Sequence, residues 1–86
     1  MSEERKIRRI KQRVYIHIFN FLRREKMIMG AILHYYLEFA KRSVEFILKK
    51  DQQGLEELAS EYEFYGCDWD ILADIVDEIE KLLKVK

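Results

Sequence analysis

His34 and Glu38 stand four residues apart, one helical turn, a spacing that sets an imidazole and a carboxylate side by side on one helix face. Such a pair can begin a metal site, but a closed site takes three or four ligands and no second histidine falls on that face. The pair reads as a surface contact, and no metal is expected. Asp68, Asp70 and Asp74 gather at the start of another helical stretch, where a divalent cation could sit. Their spacing lacks the alternating acidic positions, glycine and terminal glutamate of a calcium loop. Helix capping and the positive helix N-terminus explain carboxylates there without an ion. Cys67 lies at the same helix end, which favours thiolate, while Asp68 and Glu63 oppose it, so it reads as a structural thiol. His17 falls at the edge of an apolar stripe, the place of a boundary histidine rather than a catalytic one. No set of nucleophile, base and orienting group can be assembled, and there is no glycine-rich phosphate loop. The expectation is a protein that is not an enzyme and uses no cofactor.

The elements carrying these residues are helical. The 86-residue chain holds no proline and three glycines, and Glu, Lys, Arg, Ile and Leu dominate it. That composition predicts an all-α fold, and the length predicts a single domain over 1–86 with little stability to spare. Caps and periodicity mark four segments, about 3–23, 26–49, 52–65 and 69–84. Asp51 and Asp68 are placed to cap the third and fourth, and Gly66 to end the third in a left-handed turn. The break near 23–26 carries no glycine, proline or strong cap, so one continuous helix over 3–49 is the alternative, about 70 Å long. The alternating run RVYIHIFNF, residues 13–21, competes as a strand, with helical signals on both sides of it.

At about 100° per residue the third and fourth segments each show one apolar stripe, Leu55, Leu58, Ala59, Tyr62 and Tyr65 in the third and Ile71, Leu72, Ile75, Ile79, Leu82 and Leu83 in the fourth. The first has a core stripe of Ile7, Ile10, Val14, Ile18 and Phe21, with Ile16 and Phe19 projecting the other way. The second differs. Its polar strip of His34, Glu38, Lys41, Arg42, Glu45 and Lys49 covers only about a third of the circumference, leaving apolar residues on two sides. Such a helix must be central, covered either by its own three neighbours or by another copy. The predicted architecture is therefore a small four-helix bundle-like domain around the second helix, with a homodimer through Ile16 and Phe19 as one way of completing it.

Charge divides the chain. Residues 1–50 hold 13 Lys and Arg against 5 Asp and Glu, a net of +8, and residues 51–86 hold 3 against 11, a net of −8. Three readings follow: offset between packed helices, recognition of nucleic acid or an acidic protein by the basic stripe of Arg5, Arg9, Arg13 and Arg23, or self-association of opposite halves. The stretch 65–80, YGCDWDILADIVDEIE, has the outline of a DNA-recognition helix after a glycine corner. Its carboxylates at Asp68, Asp70, Asp74, Asp77 and Glu78 would face phosphates, so it is not a groove reader, and any nucleic acid falls to the first helix. Among the aromatics at the corner between the third and fourth segments, Tyr62, Phe64, Tyr65 and Trp69, Phe64 lies on the acidic outer face and is the candidate contact residue.

The leading expectation is thus a non-enzymatic interaction or adaptor module, its partner another protein or a second copy of itself as a homodimer, with interface candidates Ile16, Phe19 and Phe64. Its rival is a nucleic-acid accessory protein. A lone cysteine and a charged N-terminal stretch point to the reducing cytoplasm, and the longest apolar-rich run, broken by His34 and Glu38, falls short of a membrane span. Few Asn, Gln and Cys beside many Glu, Lys and Arg also suit a heat-adapted proteome.

Overall fold

The computed structural model describes residues 2–85. It contains four helices, α1 (Ser2–Glu25), α2 (Ala31–Lys49), α3 (Gln52–Phe64) and α4 (Trp69–Leu83). There is no strand among the described residues, and RVYIHIFNF lies wholly inside α1.

The two acid-capped corners form as their sequences predict. Asp51 accepts from the Gly54 N–H at 3.0 Å and Asp68 from the Asp70 N–H at 2.8 Å. Gly66, at φ 109°, takes the positive angle that ends α3. The first break lies later than the sequence suggests: α1 runs to Glu25, residues 26–30 form a connection, and α2 starts at Ala31. Ile28 N–H reaches back to the Leu22 carbonyl at 3.0 Å and Lys26 N–H to the same carbonyl at 3.2 Å, a closing turn with Met27 in the left-handed region at φ 55°. Methionine occupies the position glycine usually fills, so the stop leaves no glycine to read. Ile28 and Met29, which fall inside the expected second segment 26–49, belong to this connection instead.

Lys50 closes α2 in the same way, at φ 57°, with Asp51 N–H bonded to the Phe46 carbonyl at 2.9 Å. A side chain in this conformation is strained by about 1 kcal/mol relative to glycine. Lys50→Gly is therefore expected to raise stability by up to about 1 kcal/mol and the melting temperature by about 4–8 °C. A calorimetric scan that shows no rise would refute the assignment of strain there.

α2 is the hub. It touches α1, α3 and α4, whereas α1 and α3 share no contact among the described residues. Tyr36, Leu37, Phe39, Ala40, Ser43, Val44 and Ile47 of α2 are buried. Around them pack Val14, Ile18 and Leu22 of α1, Leu55, Leu58, Ala59 and Tyr62 of α3, and Leu72, Ile75 and Ile79 of α4. Ser43 fits a tight crossing because its hydroxyl donates to the Ala40 carbonyl at 2.8 Å, leaving nothing unpaired. The Cα radius of gyration is 12.2 Å, matching the value of about 12 Å for a compact chain of this length. Of the two covers that the wide apolar arc allowed, the chain's own three helices provide one. α2 does not call for a second copy.

Candidate protein-interaction surface

The connection from α3 to α4 is pinned to α2. Asp68 N–H donates to the Tyr36 hydroxyl at 2.8 Å, and Cys67 N–H to the Tyr62 carbonyl at 3.0 Å. Burial holds the Tyr36 hydroxyl above its ordinary pKa, so it stays protonated at neutral pH. Burial also pushes the Cys67 thiol up to about 11. Alkylation of Cys67 by iodoacetamide at pH 8 is expected to be slower in the folded protein than in denaturant by at least about 100-fold, from thiolate fraction and access together. Equal rates would place the thiol at the surface.

From this anchored corner a run of rings leads outward. Phe39 meets Tyr62 edge-on at 5.7 Å between centroids, Tyr62 meets Tyr65 edge-on at 5.5 Å, and Tyr65 stacks on Tyr35 at 5.5 Å and 30°. Phe64 leans an edge on Tyr65 at 6.0 Å. Exposure grows from Tyr62 at 1% through Tyr65 at 47% to Phe64 at 87%, with Tyr35 at 37% beside Tyr65. The outer rings are thus apolar surface held from behind, which lowers the ordering cost of a contact. Trp69 follows the corner at 42% exposure. Beside the rings, Tyr62 donates to Glu38 Oε1 at 2.8 Å, and Arg42 Nη1 donates to the Tyr62 hydroxyl and to Glu61 Oε2, both at 3.1 Å. Glu38 is therefore engaged across the α2–α3 seam, whereas its turn-neighbour His34 meets Tyr35 edge-on at 6.4 Å.

The first-helix candidates part company. Ile16 is 55% exposed, but Phe19 is partly buried against the core and Arg23 lies over its ring at 5.5 Å. They do not make one bare apolar pair, because Phe19 sits nearer the packed side and the guanidinium covers part of what is left. Arg5, Arg9 and Arg13 are exposed. Among the described residues two ion pairs join the basic half to the acidic one, Lys26–Asp74 at 2.6 Å and Arg42–Glu61 at 3.1 Å, and a hydrogen bond joins His17 Nε2 and Glu78 Oε1 at 3.0 Å. Asp74 holds the Lys26 ammonium above its ordinary pKa through their hydrogen bond. Offset between packed helices thus uses part of the charge asymmetry and leaves the α1 arginines outside it.

Two features escape the sequence. Tyr65 sits on the apolar stripe of α3 by periodicity, yet it lies past the helix end, where the chain turns it to the surface beside Tyr35. Arg8, Lys11, Gln12 and Tyr15 form one row and His34, Leu37, Glu38 and Lys41 another, and α1 and α2 bring the rows together as a basic trough with Lys41 Nζ 5.6 Å from the Tyr15 ring centre. Each row has helical spacing and is visible in the sequence, but their pairing depends on the register of two helices. Compared with models of protein families, with curated proteins and with solved structures, the chain matches none.

Proposed function

We propose that this chain is a non-enzymatic protein-interaction module that engages another protein through the rings at the end of α3, with Phe64 at the centre and Tyr65 and Tyr35 beside it. The carrying observation is Phe64, a large apolar side chain 87% exposed and braced by a ring that itself stacks on a third. Covering such a side chain is worth about 2 kcal/mol, the scale of an interface hot spot. No helix among the described residues is long and apolar enough to cross a membrane. A reducing cytoplasm suits this reading, since Cys67 then remains a thiol. Self-association through α1 is a weaker version, resting on Ile16 now that α2 is covered from within its own chain.

The test is capture from an extract of the source cells by the immobilised chain, with quantitative mass spectrometry. Wild type and Arg9→Glu are expected to retain the same protein, and Phe64→Ala to lose it. Equal recovery by wild type and Phe64→Ala contradicts the proposal.

Nucleic-acid binding is the second reading, favoured by the exposed arginines of α1 and the trough of Arg8, Lys11 and Lys41 beside Tyr15. It requires a mobility shift that falls steeply with salt and disappears when Arg5, Arg9 and Arg13 become Glu. Absence of any shift at low salt ends it.

A further inference from the structure

A second surface lies on α4, on the side facing α3. His17–Glu78 and Lys26–Asp74 place α1 against one side of α4. On the other side α3 and α4 part to leave a groove of about 380 Å³. Phe39 of α2, Leu55, Ala59 and Leu72 form its base and are buried, the apolar side chains left accessible in it are Trp69, Ala73 and Val76, and Ala59 and Ala73 keep it open by giving each helix only a methyl there. From Trp69 at one end to Glu80 at the other is eleven steps along α4, about 16 Å at 1.5 Å per step, which is three helical turns.

The side of the rim that faces the groove is acidic, with Lys81 and Lys84 on the outer side of Asp77 and Glu80, and Lys50 beside Glu80. Glu56, Asp77 and Glu80 line the groove with no Lys or Arg, and none of the three forms an ion pair with a cation among the described residues. Glu56 accepts only an amide N–H from Gln52, at 3.3 Å. An apolar trench three turns long between carboxylates is the negative image of an amphipathic helix whose apolar stripe is flanked by Lys and Arg. The chain's own basic amphipathic helix is not the occupant in trans, because the apolar face of α1 is already spent on Val14, Ile18 and Leu22 in its own core.

We propose that the α3–α4 groove binds a short basic amphipathic helix of a partner protein, its apolar residues over Trp69, Ala73 and Val76 and its cations against Glu56, Asp77 and Glu80. This site is separate from the ring cluster at Phe64 and can be tested apart from it.

The probe is a fluorescein-labelled peptide of about 12 residues, three turns with Leu at i, i+3, i+4 and i+7 spacing and Lys between, with a Glu/Leu peptide of the same pattern as its control. Fluorescence anisotropy is expected to show saturable micromolar binding of the Lys/Leu peptide, weakening with salt, and none of the Glu/Leu peptide. Ala73→Trp, which fills the exposed part of the floor, and separately Asp77→Lys with Glu80→Lys, are each expected to cost at least about tenfold in affinity. Phe64→Ala is expected to leave binding unchanged. Circular dichroism shows which variants fold, and the charge pair carries the test if Ala73→Trp does not. Four results overturn the proposal: no saturable binding, equal binding of both peptides, indifference to both groove changes, or loss on Phe64→Ala. Concentration-dependent association of the chain that Ala73→Trp abolishes places a second copy in the groove and overturns it also.

Discussion

Phe39→Ala is expected to leave the protein largely unfolded or close to its melting point at 25 °C. Phe39 is 0% exposed on the hub helix, meets the Tyr62 ring at 5.7 Å, and forms the floor between α3 and α4. Truncating a buried phenylalanine costs about 3–5 kcal/mol, from lost transfer energy and from the cavity left behind. A chain of this size has a total stability of about 4–13 kcal/mol, with a small core favouring the low end. The expected fall in melting temperature is about 15 °C or more. Leu48→Ala on the same helix, where the side chain is 38% exposed, is expected to cost about 1 kcal/mol or less. Thermal melts followed by circular dichroism compare the two, and similar losses for both would mean that α2 is not enclosed as described.

Phe64→Ala has the opposite profile. With 87% of the residue in solvent, its removal is expected to change stability by no more than about 0.5 kcal/mol. Affinity for the partner, in contrast, is expected to fall by at least about 30-fold, the equivalent of a 2 kcal/mol hot spot. Tyr65→Ala is expected to fall between these extremes in both respects, because the ring braces Phe64 and also touches Tyr62 and Tyr35. Isothermal titration against the captured partner, paired with a melt of each variant, separates the contact role from a folding role. A Phe64→Ala variant that binds as wild type removes the ring cluster from the interface.

The contrast between the two phenylalanines explains what could be read from the letters. Phe39 sits within a periodic apolar run, and helical spacing alone places it inward. The same is true of Ile75 and Ile79 in α4 and Val14 and Ile18 in α1, so the all-α fold and the central second helix followed from local rules. Phe64 was legible for the inverse reason, as an apolar residue among Glu61, Glu63 and Asp68 on a face that periodicity turns outward. Where reading failed, a non-local choice was involved. Met27 takes a left-handed angle without glycine, so no residue type announces the backbone conformation that ends α1. Phe19 was assigned outward from its angle on α1, but the packing of neighbouring helices decides how much of a boundary side chain is covered. The groove between α3 and α4 was hidden because Ala59 and Ala73 look unremarkable singly; its opening depends on the two facing one another across an antiparallel turn.

The balance of charge teaches the same lesson. Equal totals of opposite sign suggest mutual neutralisation, and among the described residues Lys26 and Arg42 perform it at Asp74 and Glu61. Glu56, Asp77 and Glu80 line the groove with no lysine or arginine among them, although outside it Lys81 and Lys84 neighbour Asp77 and Glu80, and Lys50 neighbours Glu80. Their field is directed at whatever approaches the groove, and surface charges of this kind govern rate and specificity more than fold stability.

The most direct measurement is photo-crosslinking in the source cells, with a benzophenone amino acid placed in turn at positions 64, 16 and 9. A protein adduct of defined mass at position 64, with little at 16 or 9, is the result predicted by contact through the ring cluster. Adducts at 16 or 9 with none at 64 would contradict it and move the working surface to α1.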